Sequence, residues 1–192
     1  MAVKERRERE YARRHQLIID TARRLAEAEG WTAVTTRRLA ETIEYSQPVL
    51  YSHFTGKEAI VGAVAVEGFG ELAAALRQAR AEAEEPVTAL RRVAHAYTGF
   101  ALTHPTLYEA MFLLPTDLAF GQPETPEALT SAYQELYAVV VAALDDPAPD
   151  MCTEVMWSAL HGLVSLFRSG RLKVGEHHER LDLLLDRFTQ RG

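Results

Sequence analysis

The sequence predicts an all-α protein, and three observations carry that expectation. Apolar residues recur at spacings of three and four along almost the whole chain. Sustained strict alternation, which marks a half-buried strand, is scarce. Proline and glycine fall where the apolar stripes stop, so they read as boundaries. A chain with this pattern buries its stripes helix against helix.

Nine helices are expected. The first covers about residues 4–29, with Leu17, Ile18, Thr21, Ala22 and Leu25 on one face and Gly30 as its stop. A second follows at about 36–43, with Thr35 or Thr36 free to accept backbone N–H groups as its cap. A third is expected at about 47–53, behind Ser46, and a long fourth at about 57–80. The fifth, about 87–103, carries Leu90, Val93, Ala94, Tyr97, Phe100 and Ala101. His104-Pro105 ends it, because proline pushes the preceding residue out of the α region. Pro105 opens a short sixth helix through Phe112. Pro115, Gly121 and Pro123 make 114–125 a loop. The seventh helix starts at Thr125-Pro126 with Leu129, Tyr133, Leu136 and Val140 on one face, and Asp145 to Pro149 ends it. An eighth helix is expected at about 150–168 and a ninth at about 176–190.

The chain has 192 residues, 47% apolar and 25% charged, which is ordinary for a globular protein. That length buries a core without disulfides or metal. The expected division is a small domain, 1–56, and a larger one, 57–192. A single Cys152 cannot form an internal disulfide, so a reducing cytoplasm is expected. Met1 to Glu10 is charged, and no secretory signal is expected there. No apolar run approaches the roughly 18 residues of a membrane span, so no membrane role is expected. The net charge of −6 is uneven: residues 1–60 hold 11 Lys/Arg against 9 Asp/Glu, and 61–192 hold 10 against 18. A mildly basic head on an acidic body fits a head that meets a polyanion, although a solvated surface has the same balance.

The informative stretch runs from Gly30 to Glu58. Leu39 and Ile43 share one face, a turn Glu44-Tyr45-Ser46 follows, and Leu50 and Phe54 point back to the core. Pro48 is tolerated in the first turn of the third helix, whose N–H groups lack intrahelical partners. Gln47, Pro48, Val49, Tyr51 and His53 remain for the outer face or its flanks, and a short helix with such an end suits the major groove. Here the chain resembles the tetracycline-repressor (TetR) family of transcriptional regulators. The resemblance rests on Gly30, Trp31, Thr35, Thr36, Leu39, Ala40, Ser46, Leu50, Tyr51, His53, Phe54 and Lys57-Glu58. It implies that the third helix reads the major groove, with Ser46, Gln47, Pro48 and Val49 toward bases. Thr36, Tyr51, His53 and Lys57 match phosphate positions, and Arg37 joins the DNA-binding set. Glu44 departs from the family, which often has glycine there; a φ above zero costs another residue roughly 1–2 kcal/mol. The basic start (Lys4, Arg6, Arg7, Arg9, Arg13, Arg14) adds contacts or is a solvated helix end whose interleaved glutamates pair locally.

Further on, His104 to Phe112 and Trp157 to Leu166 resemble a TetR ligand-domain subgroup marked by tryptophan and His-Gly. That implies a helical homodimer with an internal pocket for a small, largely apolar effector. The candidate effector residues are Tyr97, Phe100, His104, Tyr108, Phe112, Tyr133, Trp157 and His161, with His104 or His161 as the polar contact. Any one of these aromatics or histidines is more often a core residue than a pocket one. The candidate dimer interface is Ser158, Gly162 and Ser165 of the eighth helix with Leu181, Leu184, Leu185 and Phe188 of the ninth. Gly162 fits close approach of a helix from the partner or from the same subunit.

Two stretches imitate other chemistries. Gly68-x-Gly70-x-x-Ala73 imitates a dinucleotide fingerprint, but Val61, Ala65, Phe69, Leu72 and Leu76 share one helix face. His177-His178 with Asp182 offers metal ligands, but adjacent histidines on a helix point apart. No catalytic residue, cofactor or metal is expected. The sequence thus reads as a cytoplasmic one-component repressor that binds a palindromic DNA operator as a homodimer. The alternatives are an NAD(P)-dependent enzyme using residues 68–73, and a helical interaction module without DNA binding.

Overall fold

The structure, a computed structural model, describes residues 2–190, with side chains from Lys4 onward. Nine α-helices and no strand are present among the described residues: α1 (Ala2–Glu29), α2 (Thr36–Thr42), α3 (Gln47–Tyr51), α4 (Lys57–Ala81), α5 (Pro86–Thr103), α6 (Pro105–Phe112), α7 (Glu127–Ala143), α8 (Pro149–Arg168) and α9 (His177–Thr189). The all-α expectation holds. The stop signals act as their chemistry requires. Gly30 leaves α1 with φ 81°, and its N–H closes the last turn on Ala26 O at 2.7 Å. His104, ahead of Pro105, adopts φ −123° and ψ 57°, which separates α5 from α6. A single 3₁₀ turn, Trp31–Ala33, was not expected. It buries Trp31, whose indole N–H donates to Thr106 O at 2.8 Å.

The chain forms two compact units. One comprises residues 1–68 with 106–119, the other 69–105 with 120–192, so the division falls inside α4. In the first unit, Ile18, Ala22, Trp31, Val34, Leu39, Leu50, Phe54, Ile60 and Val64 form the buried core. At Gly68 a methyl group would lie 2.8 Å from both Leu107 Cδ1 and Met111 Sδ, so α6 rests directly on the backbone of α4. The glycine motif is therefore a helix-packing device in an uninterrupted helix. A dinucleotide fingerprint needs a strand, a turn and a helix start at that place, and the enzyme alternative loses its one motif.

In the second unit α5 packs on α7, α8 and α9, with further α7–α8 and α8–α9 contacts. Tyr97, Leu90, Val93, Leu136, Val140, Met156, Leu160 and Val164 are buried there. Glu135 is buried too, and accepts from Arg77 Nε at 2.9 Å and Arg80 Nε at 2.8 Å. Two arginines at i and i+3 thus tie the end of α4 to α7.

One expectation needs correction. Within α4 an 18-residue window reaches a mean hydropathy of 1.7, so this helix is long and apolar enough to cross a membrane. The window escapes a search for unbroken apolar runs because Glu67 and Glu71 interrupt it. Its apolar side chains are packed within the protein. Ile60, Val61, Val64 and Ala65 are buried in the first unit, and Phe69, Leu72 and Leu76 in the second. A helix that serves two cores is apolar around most of its circumference.

Candidate nucleic-acid interface

The helix pair begins with a cap. Thr35, in extended conformation, accepts from Arg38 N through its hydroxyl at 3.2 Å and starts α2. The end of α2 is closed by Tyr45 N–H on Ala40 O at 2.9 Å and Glu44 N–H on Glu41 O at 3.4 Å. This 6→1 and 5→2 pairing is a Schellman motif, which places Glu44 at the left-handed position. Glu44 has φ 56° and is the one non-glycine residue with positive φ among the described residues. The end of α8 repeats the pairing with Arg171 N–H on Leu166 O and Gly170 N–H on Phe167 O, there with glycine at φ 68°. Ser46 stands at the N-cap of α3 with φ −73° and ψ 149°, but its hydroxyl makes no capping hydrogen bond. Leu39 and Leu50 are fully buried and lock the two helices together.

This leaves Ser46, Gln47, Pro48 and Tyr51 exposed, Val49 half-buried, and Arg37 exposed beside Glu41 at 2.8 Å. Tyr51 Oη and Thr36 Oγ1 lie 3.4 Å apart, so two of the expected phosphate contacts sit together. Lys57 is partly committed: its Nζ donates to Trp31 O at 2.6 Å. Two N–H groups of its ammonium remain for an anion. His53 lies against Tyr11 with ring centroids 4.2 Å apart, and the Tyr11 hydroxyl donates to Ser52 O at 3.3 Å. Burial holds the His53 imidazole below its ordinary pKa, with His15 and Arg14 adding to the effect. At the start of α1, Lys4 pairs with Glu8 at 3.9 Å and Arg14 with Glu10 at 3.0 Å, as a solvated helix end does.

Comparison with known proteins follows the same outline. Residues 18–64 match the family model described as bacterial regulatory proteins, tetR family, and residues 90–188 match the tetracyclin repressor-like C-terminal domain. The chain belongs to the TetR family. A relative in Bacillus subtilis, the uncharacterized HTH-type transcriptional regulator YobS, is 33% identical over 98 residues. That match covers 51% of each chain, so the chain spans about half the length of this curated relative. A protein of unknown function from Rhodococcus sp. RHA1 shares the fold at TM-score 0.75 and 23% identity, covering 92% of this chain and 95% of that one. The TetR family transcriptional regulator PfmR from Thermus thermophilus does so at 0.64 and 22%, covering 91% and 96%.

Against the usual TetR glycine, Glu44 is a strained choice. The Glu44→Gly variant should gain roughly 0.5–1 kcal/mol. Relief of about 1–2 kcal/mol of left-handed strain outweighs about 0.5–1 kcal/mol of extra unfolded-chain freedom. It also removes an exposed carboxylate from the turn before α3, so DNA affinity should rise. Denaturation midpoints and a DNA titration of both proteins check this; a loss of stability would contradict the strain.

The expected effector residues are distributed over both units. Tyr97 is buried and accepts from Trp157 Nε1 at 3.1 Å, which joins α5 to α8. Phe100 stacks on His104 with centroids 4.7 Å apart. Tyr133 donates to Asp150 O at 3.4 Å, at the start of α8. Tyr108, fully buried, and Phe112 pack together in the first unit, centroids 4.6 Å apart. His161 on α8 has its imidazole pKa lowered by burial. Of the expected interface residues, Ser158 is exposed, and Gly162 and Ser165 are half-buried. Leu181 and Leu185 are fully buried in their own subunit, while Leu184 and Phe188 are half-buried. The exposed large apolar residues of these two helices are Met151, Val155 and Leu166 on α8 and Leu183 on α9. The densest apolar stripe of α8, Met156, Leu160 and Val164, is the buried one, and Met151, Val155 and Leu166 lie on the face beside it.

Burial lowers the imidazole pKa at His53, His161 and His177, with one consequence for pH. The unfolded chain binds protons on these three at higher pH than the folded chain, so stability rises with pH through this range. It should be complete above the ordinary value of 6.5 and fall as pH drops below it. Urea midpoints at pH 7.5 and 5.5 test the sign, and His161→Gln should flatten the difference. A midpoint that rises on acidification would contradict it.

Proposed function

We propose that this chain is a homodimeric one-component transcriptional repressor that binds a palindromic operator through α3 and releases it when a small, largely apolar effector binds. TetR-family regulators bind DNA operators and small-molecule effectors and dimerise. The observation that carries the reading here is the leading end of α3. Ser46, Gln47, Pro48 and Tyr51 face solvent on a helix held from behind by the buried Leu50. The residues at 1–56 serve as the DNA-binding head. The remainder serves effector binding and dimerisation, and the place of action is the cytoplasm.

Dimerisation uses the exposed face of α8. Met151, Val155, Ser158, Gly162 and Leu166 follow one another at helical spacing, and Leu183 extends the apolar surface onto α9. Apart from its own helix backbone and chain neighbours, nothing in the same subunit lies within 4 Å of a methyl group placed on Gly162. That favours the partner over a same-subunit helix as the reason for a glycine there. Tyr97, Phe100, His104, Tyr133, Trp157 and His161 are the effector candidates of the second unit. The effector acts by differential affinity for two arrangements of the dimer.

Two variants test the assignment on DNA flanking the protein's own gene. Tyr51→Phe should weaken binding to all sequences by a similar factor, because a phosphate contact carries no base information. Gln47→Ala should relax the preference at one base pair, at a cost of about 1–3 kcal/mol against the cognate base. Equal behaviour of both variants on cognate and scrambled DNA would remove α3 from the interface.

A further inference from the structure

We propose that His95 and His178 form a site for a late first-row divalent cation of the Zn²⁺ or Ni²⁺ type, with Asp182 positioning one of the two rings. The site joins α5 to α9 within the second unit and stands apart from the DNA-binding and effector readings.

His95 and His178 approach with their Nδ1 atoms 3.4 Å apart. The rings are near-parallel and offset, with centroids 5.4 Å apart and planes differing by 22°, and the two Nδ1 atoms are the edges that approach. Two imidazoles bound to one tetrahedral ion at about 2.0–2.1 Å place their nitrogens about 3.3–3.4 Å apart. The other nitrogen of His95, Nε2, lies 3.0 Å from Asp182 Oδ1. A carboxylate only accepts, so Nε2 carries the hydrogen and the lone pair of His95 is on Nδ1, facing His178. A carboxylate behind a ligating histidine is the usual second partner of such a ring. Asp182 is itself held by Arg91, 3.8 Å away, which also pairs with Asp186.

Access is open. His178 is exposed, and an open cleft of about 440 Å³ reaches His95 past Glu82, Thr88 and Arg92. Among the described residues no three His, Cys, Asp or Glu side chains make a metal-binding group. The chain thus gives two nitrogens, and water or an added chelating ligand completes the coordination. Imidazole donors select Zn²⁺, Ni²⁺ or Cu²⁺ over Mg²⁺ and Ca²⁺. The adjacent pair His177-His178 does diverge, with ring planes 74° apart. The partner that turns His178 toward a metal comes instead from 83 residues earlier in the chain.

Calorimetric titration of the full-length protein with zinc chloride tests the proposal, with Co²⁺ absorption as an independent reading. The expected result is one ion per chain, tenfold or more weaker in both His95→Gln and His178→Gln. Asp182→Asn should weaken it about 10–100-fold, and Mg²⁺ should not compete. His178 is exposed, so its variant folds as the parent does, which circular dichroism checks. Absence of zinc binding, or undiminished binding in His178→Gln, would show that the two rings only hydrogen-bond to each other and would overturn the site.

Discussion

Gly162→Leu is expected to separate the subunits and abolish operator binding. The protomer has room for a side chain there, because apart from the local helix backbone and chain neighbours nothing in the same subunit lies within 4 Å of an added Cβ. The position is flanked on α8 by Ser158 and Leu166, on the face that also exposes Met151 and Val155. A partner helix packed over glycine and serine approaches closely, and a leucine placed there wedges it away. Such an interface belongs to the obligate class of roughly 2,000 Å² or more. Operator binding depends on it, since two half-sites one DNA turn apart need two heads. Sedimentation at micromolar concentration should give a dimer for the parent and a monomer for the variant, each with helical circular dichroism. A variant that stays dimeric and binds DNA would move the interface elsewhere.

Gly68→Val should destabilise the folded subunit itself. Its added atoms meet Leu107 Cδ1 and Met111 Sδ at 2.8 Å and Leu107 Cγ at 3.0 Å. Met111 is flexible and yields, but Leu107 Cγ lies near its backbone and does not. Overpacking of this kind costs about 1–3 kcal/mol, and the upper end applies with two methyl groups beyond Cβ. The melting temperature should fall by roughly 5–10 °C for a chain of this size. Two residues on, Gly70 has nothing within 4 Å of its methyl position. Gly70→Ala should therefore gain up to about 1 kcal/mol from helix propensity alone. Opposite signs at neighbouring glycines in one helix would be hard to produce by any general effect of glycine replacement. Equal shifts at both positions would contradict the packing of α6 on Gly68.

Much of this was legible before any coordinates. Helix ends were set by local chemistry: Gly30, the Thr35 cap and His104-Pro105 act through their own backbone, so the sequence alone locates them. The strain at Glu44 was legible for the same reason, from the turn length and the glycine often found there in the family the chain resembles. What periodicity reports is which face is apolar, not what covers it. Leu181 and Leu185 look like interface residues by pattern, yet their own subunit buries them, and Leu183 between them is exposed. Glu135 looks solvent-facing by type and is buried, because Arg77 and Arg80 reach it from a helix 55 and more residues away. His178 stood out only beside His177, and its partner His95, 83 residues earlier, could not be found for the same reason. Contacts between distant helices are set by tertiary packing, which no local pattern contains.

The central claim, that this chain is a DNA-binding dimer, is tested most directly by the salt dependence of its affinity for DNA flanking its own gene. One phosphate neutralised by each Arg37 and Lys57 of the proposed dimer would make four contacts, so log affinity should fall with log salt at a slope of about −3.6 or steeper. The same titration on scrambled DNA should show weaker binding at every salt concentration. Affinity that is absent, or that does not change with salt, would contradict the account and leave the chain a helical dimer with another partner.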